Sequence, residues 1–171
     1  MNKTELFNEV RGWLENEKLS FLADDENTFA ELRMNLEHGL VPVRMLCEES
    51  PALLQVVCSL PVKVPKEKIS STSLLLHHLN ARLRAGSFQL DAEDGLVLFR
   101  LAQTIHSETE LEKLFDCAFG TALKTLDDYL PPLCLHVCST TKAQEVLDRL
   151  RLPPKQTVTK LVADQGRFEL N

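Results

Sequence analysis

The stretch NARLRAGSFQLDAEDGLVLFR, residues 80–100, contains the end of a helix followed by a complete β-hairpin. Gly86 stands where a left-handed residue commonly ends a helix. Residues 87–91 and 96–101 have the apolar spacing of strands. The Asp94-Gly95 pair between them is typical of a tight turn that needs a residue at positive φ. The stretch therefore predicts a helix that leads into an antiparallel pair of strands.

Upstream, the pattern predicts a helix, a four-stranded meander and a second helix. Asn2 and Glu5 have the spacing of a capping box, and apolar residues at helical spacing follow over residues 3–17. Alternating apolar residues and turn-forming residues then predict strands at about residues 19–23, 30–36, 40–47 and 53–60. Pro42 indicates that the third strand is an edge strand or starts irregularly. The second helix is expected over residues 66–85.

Downstream, two more helices are expected. Ser107 and Glu110 match a reciprocal N-cap for a third helix over residues 107–128, which Pro131-Pro132 should end. A shorter helix is expected over residues 141–151. The order αββββαββαα predicts an α+β fold, with an antiparallel sheet of a meander plus a hairpin and helices packed on it. We expect one domain over residues 1–152, and residues 153–171 as a C-terminal extension, either a short hairpin or a loose tail.

The composition predicts an ordinary folded domain and excludes several classes of protein. Apolar residues make up 44% of the chain and charged residues 26%, which is average for a globular protein. The net charge of −6, with scattered basic residues, argues against nucleic-acid binding. No apolar stretch is long enough to span a membrane, and the first residues do not resemble a secretory signal. We expect a cytoplasmic protein whose five cysteines are reduced and mostly buried.

Candidate chemistry along the chain is sparse. Cys134-Leu-His-Val-Cys138 is the best metal candidate, but on a helix His136 points away from the two thiols and four ligands are normally needed. His77 and His78 are adjacent on a predicted helix, so their side chains point in different directions. The acidic groups are interpreted as solvent-exposed turns. No phosphate-binding glycine motif is present. We expect no metal, no cofactor and no enzymatic activity. The alternative is a small enzyme whose catalytic residues are scattered along the sequence.

The string LLHHLNARLRAGSFQLDAEDGLVLFRLAQT, which starts at Leu75, and the later LKTLDDYLPPL resemble the YbjN family of bacterial sensory transduction regulators. The similarity covers about residues 3–133 and is sharpest over residues 80–100. The fold of that family is similar to the type III secretion chaperones, which bind protein segments and are commonly dimers. The resemblance therefore implies a non-catalytic regulatory or chaperone-like module that binds a protein partner or client and uses no cofactor.

The second helix is the candidate interaction surface. Leu74, Leu75 and Leu76 are consecutive and cannot all face one side of a helix, so at least one of them points away from the main apolar stripe. Either another part of the chain or a second copy covers it, and we expect a homodimer. Asn80 and Arg100 match the family pattern, and each either holds the fold through hydrogen bonds or contacts a ligand. The protein-interaction candidates are Leu74, Leu75, Leu79, Asn80 and Arg100.

Overall fold

The computed structural model describes residues 1–150, which form an α+β fold with six strands and four α-helices. The element order is the one that the sequence predicts. The predictions for the last residues lie outside the described part of the chain. The bounds are α1 Lys3–Asn16, β1 Phe21–Asp24, β2 Phe29–Leu36, β3 Gly39–Glu48, β4 Leu53–Ser59, α2 Ile69–Asn80, β5 Ser87–Asp91, β6 Leu96–Thr104, α3 Leu111–Cys138 and α4 Ala143–Arg149. A short 3₁₀ turn, Lys66–Lys68, precedes α2.

All six strands lie in one antiparallel sheet, in the order β1-β2-β3-β4-β6-β5. The first four strands follow one another as the predicted meander. The predicted hairpin of β5 and β6 then joins the meander through β6, which pairs with β4 from Ser59 and Leu98 to Leu53 and Thr104. The stretch over residues 80–100 therefore supplies the strand that completes the sheet and the strand at its far edge.

One face of the sheet carries the core. Its side chains alternate along the strands and are almost fully buried, for example Val43 and Met45 on β3 and Val97 and Phe99 on β6. Helix α1 packs on β3, while α3 packs on β4 and β6. Burial of this apolar surface is the main favourable contribution to folding. None of the helices over residues 1–150 combines the length and the apolar character that a membrane span requires.

The capping box predicted for α1 is formed. Asn2 Oδ1 accepts a hydrogen bond from the Glu5 backbone N–H at 2.9 Å, and Glu5 Oε2 accepts one from the Asn2 backbone N–H at 2.9 Å. The apolar stripe of α1 includes Trp13, whose indole N–H donates to Asp116 on α3 at 2.9 Å. This bond leaves the indole N–H satisfied while the ring packs edge-on against Phe119.

The boundaries predicted for the third helix were wrong at both ends. Helix α3 begins at Leu111 without a side-chain cap, and in the turn before it Thr109 Oγ1 accepts a hydrogen bond from the His106 N–H. It continues through Pro131 and Pro132 to Cys138. Proline removes a helix hydrogen bond, but Leu130 and Leu133 on either side of the pair are buried in the core. Core packing therefore outweighs the local preference of the prolines to end the helix.

The second helix is shorter than predicted, and Gly86 does not end it. Helix α2 stops at Asn80, and Ala81 is its C-cap. Gly86 has φ +72°, and a Cβ there would lie 2.4 Å from the Phe99 ring and 2.9 Å from the Arg100 carbonyl oxygen. Glycine is therefore needed at the entrance to β5, where the chain passes close to β6.

Pro42 does not mark an edge strand, because β3 lies between β2 and β4. It pairs with Arg33 of β2, but the ladder between β3 and β4 begins only at Val43. The proline nitrogen therefore costs the sheet no ladder hydrogen bond on the β4 side. The strand does not start irregularly at Pro42 either, because β3 pairs with β2 in unbroken register from Gly39 onward.

Candidate protein-binding face

The second face of the sheet is not covered by any helix of residues 1–150. We call it the open face. Its apolar side chains belong neither to the core cluster nor to the partly buried residues that pack against that cluster. The open face includes the apolar Leu22, Phe29, Leu40, Pro42, Leu46, Leu53, Val57, Leu96 and Leu98 and the polar Glu31, Arg33, Arg44, Glu48, Gln55, Ser59 and Arg100.

A shallow groove of about 290 Å³ runs across the middle of the open face. Its floor contains Val57 of β4 and Leu98 of β6, and its rim contains Arg44 and Arg100. A second hollow, of about 380 Å³, lies beside it where β1 meets β2, and Glu31 lines both. The groove gives the open face a shallow depression with an apolar floor, which suits an extended segment of another chain.

Two pairs of polar side chains on the open face are hydrogen-bonded. Arg44 Nε donates to Glu31 Oε2 at 2.7 Å, and the Arg44 guanidinium also lies over the Phe29 ring. Gln55 Nε2 donates to Glu48 Oε1 at 2.6 Å. Arg100 differs, because its Nε is buried and finds no hydrogen-bond acceptor among residues 1–150.

The two edges of the sheet differ. At the β5 edge, the side-chain amide of Asn80 hydrogen-bonds to both the N–H and the carbonyl of Phe88, as a neighbouring strand would. At the other edge, β1 pairs with β2 only as far as Leu32, so the residues from Arg33 to the end of β2 pair with β3 alone. The β5 edge is therefore protected against further strand pairing, whereas part of β2 is available for it.

The structure does not bring the five predicted interaction residues together. Leu75 and Leu79 are fully buried in the core of this chain, so neither is presented at its surface. Leu74 is 56% exposed on α2. Asn80 uses its amide on Phe88, and Arg100 lies on the open face. The sequence named Arg100 but missed the groove around it, since β4 and β6 meet there only in the folded sheet.

Ser71 and His136 form a close pair that sequence reasoning missed. His136 is 2% exposed, and its Nδ1 lies 3.0 Å from the Thr141 carbonyl oxygen while its Nε2 lies 3.2 Å from Ser71 Oγ. Ser71 Oγ also lies 3.0 Å from the Lys68 carbonyl oxygen. The carbonyl of Thr141 can only accept, so Nδ1 carries a proton. The hollows of the open face include neither residue, and the pair joins the start of α2 to the end of α3.

Lys68 strengthens the same junction. Its ammonium group donates to the carbonyl oxygens of His136 at 2.7 Å and Val137 at 3.0 Å, and also to that of Ser139. These groups lie at the C-terminal end of α3, where backbone carbonyls lack partners within the helix and the helix dipole favours a cation. Ser71 and His136 are thus part of a helix-end junction, and this arrangement explains them without a catalytic role.

Two groups of possible metal ligands have other partners. His136 points into the helix-end junction, while Cys138 is exposed, so the candidate set Cys134-His136-Cys138, which the sequence already disfavoured, does not converge. The ligand atoms of Glu37, His38 and Asp127 do lie within 4.8 Å of one another at the surface. Asp127 Oδ1, however, accepts from the His38 backbone N–H at 3.0 Å and lies 3.2 Å from His38 Nδ1. That contact fastens the turn between β2 and β3 to α3.

The five cysteines are free thiols, and the prediction that most are buried was wrong. Cys47 and Cys58 are buried in the sheet, and burial raises the pKa of each thiol to about 12. Cys134 is half-buried, and burial also raises its pKa. Cys117 and Cys138 are exposed on α3. Cysteine was expected inside because of its small apolar side chain, but the long α3 also presents it on its solvent side.

Comparison with protein families matches residues 7–135 to the YbjN family, described as "Putative bacterial sensory transduction regulator". The chain belongs to the YbjN family. The matched residues contain the whole sheet, α1 from Phe7 onward, α2 and most of α3, so the open face and both of its hollows lie within the family domain. Comparison with curated proteins gave no significant match.

Two solved structures share the fold of this member of the YbjN family. The crystal structure of the ExsC–ExsE complex contains a chain with a TM-score of 0.54 and 15% identity, and the match covers 78% of this chain and 97% of that one. The crystal structure of YbjN from E. coli, described as a putative transcription regulator, has a TM-score of 0.51 and 10% identity, covering 72% and 89%. The predicted likeness in fold to the YbjN family and to ExsC, a type III secretion chaperone, is confirmed.

Proposed function

We propose that this protein is a non-catalytic regulatory module of bacterial sensory transduction, which works in the cytoplasm by binding a segment of a partner protein on its open face. Membership of the YbjN family supports the regulatory role. The likeness to a chain from the ExsC–ExsE complex shows only that the same fold occurs in a protein complex.

The single observation that carries the proposal is the apolar floor of the open face. Val57 and Leu98 are diagonal neighbours on β4 and β6, and both lie outside the core cluster without a covering helix from residues 1–150, although Val57 is only 8% exposed. Contiguous apolar surface with a polar rim typically marks an interaction site. The rim here is supplied by Glu31, Arg44 and Arg100.

Photo-cross-linking in the native cytoplasm tests the proposal. A photoreactive side chain placed at Ser59, on the floor of the groove, should cross-link to a partner that mass spectrometry then identifies. The matched control places the same group at Lys124, which is exposed on α3 at the opposite side of the molecule. A partner captured at Ser59 and not at Lys124 is the expected result. Equal capture at both positions, or capture only at Lys124, would contradict the proposal.

We further propose that the protein is a homodimer that uses the exposed side of α2 around Leu74. Leu74 is 56% exposed, and symmetric pairing is the commonest form of self-association. Light scattering coupled to gel filtration should give twice the chain mass of 19.3 kDa for the native protein. For the Leu74→Glu variant the measured mass should be that of the monomer. A monomer at concentrations well above micromolar would contradict the dimer, and it would leave the role of the open face unaffected.

A further inference from the structure

Arg100 is the one guanidinium of the open face that combines burial with the lack of a partner in residues 1–150. Its Nε is shielded from solvent and makes no hydrogen bond. Arg82 has a similarly unpaired Nε, but it lies near Tyr129 of α3, away from the groove. A shielded donor of a charged group that has no acceptor is unfavourable, so a ligand that supplies the acceptor would gain affinity there.

The directly paired neighbours of Arg100 offer it no carboxylate, and Arg100 Nε makes no hydrogen bond to them. Its cross-strand partners are Val57 on β4 and Ser87 on β5, and neither has a carboxylate. Glu31, the one acidic residue lining the groove, lies in the same cross-strand row but is engaged with Arg44 at 2.7 Å. The groove therefore has more basic than acidic groups, within a chain whose net charge is −6.

The surroundings of Arg100 define what else the ligand must carry. Val57 lies beside Arg100 in its row, and Leu98 precedes it by two residues on the same face of β6. In an extended peptide, residues two apart share a face, about 7 Å apart. A segment that fits the groove therefore needs a carboxylate for Arg100 and apolar side chains for Val57 and Leu98.

We propose that the open face recognises an extended segment of a separate protein in which an aspartate or glutamate lies among apolar residues, and that Arg100 binds that carboxylate. The inference rests on the proposed function and specifies the chemistry of the partner. Guanidinium and carboxylate form paired, charge-assisted hydrogen bonds, which fix the position of the segment as well as strengthen its binding. The apolar floor supplies binding energy, and Arg100 supplies selectivity.

A displayed library of random 12-residue peptides, selected on the immobilised full-length protein, provides the test. A selected peptide is assigned to the open face if the Leu98→Glu variant no longer binds it. We expect these peptides to be enriched in acidic residues flanked by apolar ones. Their dissociation constants should rise about tenfold or more with Arg100→Gln and less with Arg100→Lys, which keeps the charge but not the paired geometry.

Arg11→Gln is the matched control, because Arg11 pairs with Asp25 far from the groove and the substitution removes the same charge. It should leave peptide affinity within about twofold, and unchanged thermal melting should show that the Arg100 variants are folded. Open-face peptides without acidic residues, or with unchanged affinity for Arg100→Gln, would overturn the inference and leave the proposed function standing. Self-association that Leu98→Glu abolishes would put a second copy on the face and also overturn it. If the selection yields no peptide whose binding depends on Leu98, that result would count against the proposed function itself.

Discussion

The side-chain amide of Asn80 satisfies both polar groups of the Phe88 backbone. Asn80 Nδ2 donates to the Phe88 carbonyl oxygen at 2.8 Å, and Asn80 Oδ1 accepts from the Phe88 N–H at 2.7 Å. Asn80 is the last residue of α2, and Phe88 lies on the edge strand β5. One side chain therefore anchors the end of the helix and occupies a position that a further strand would need.

Asn80→Ala should lower the free energy of unfolding by about 1–3 kcal/mol, because it leaves two partly buried backbone groups without partners. Chemical denaturation measures the change. Asn35→Ala is the control, since Asn35 is exposed on β2, and it should change stability by less than about 0.5 kcal/mol. If both substitutions changed the free energy of unfolding equally, the hydrogen bonds of the Asn80 amide to Phe88 would contribute nothing measurable to stability.

The sequence predicted the element order because both structural periods are clear in it. Apolar residues alternate through the meander and recur at helical spacing in α1 and α3. The errors arose where tertiary contacts outweigh local preference. Burial of Leu130 and Leu133 carries α3 through two prolines, and the close passage of Gly86 by Phe99 explains a glycine that resembled a helix stop. Neither contact can be found from neighbouring residues alone.

Gly95→Val should destabilise the fold by about 1–3 kcal/mol or more, since Gly95 has φ +69°. A Cβ there would also lie 2.5 Å from the Val64 carbonyl oxygen, and backbone cannot easily move away. Gly120→Ala is the contrasting control, because Gly120 lies in α3 and the added carbon would meet no atom within 4 Å apart from the adjacent backbone of its own helix. It should stabilise the protein by about 0.5–1 kcal/mol. Thermal melting that is unchanged in Gly95→Val would contradict this account of the turn.

The thiols should differ in reactivity in the native protein. At pH 8, a thiol with a pKa of about 12 is ionised in about one molecule in ten thousand, and Cys47 and Cys58 are also shielded from reagent. Alkylation followed by peptide mass spectrometry should label Cys117 and Cys138 first, and label Cys47 and Cys58 only when denaturant is added. Early labelling of Cys47 or Cys58 would indicate that the sheet opens locally.

Substitutions at Leu74 and Leu75 should separate surface from core on α2. Leu75 is fully buried, so Leu75→Ala should cost about 2–5 kcal/mol in stability. Leu74 is 56% exposed, so Leu74→Ala should cost less than about 1 kcal/mol in the monomer. Denaturant titration at low protein concentration compares the two. A large loss at Leu74 with none at Leu75 would mean that the helix is rotated from the orientation described.

The candidate site was less accessible to sequence reasoning than the fold. Arg100 stood out because a guanidinium in a strand needs a partner, and the structure places it in the groove. Leu98 and Val57 were not recognised as site residues, because an apolar residue on a strand is expected to be in the core until the position of the helices is known. The predicted cluster on α2 separated because helix geometry turns Leu75 and Leu79 inward and leaves Leu74 outside.

The most direct test of the central claim is the dissociation constant between the protein and the purified partner that Ser59 cross-links, measured by calorimetry. If the open face binds the partner, Leu98→Glu should weaken binding about 30-fold or more, because it puts an unpaired carboxylate on the apolar floor. Leu74→Glu, which adds the same charge on α2, should change the constant by less than about threefold. Binding that survives Leu98→Glu but is lost with Leu74→Glu would contradict the account and place the partner on α2.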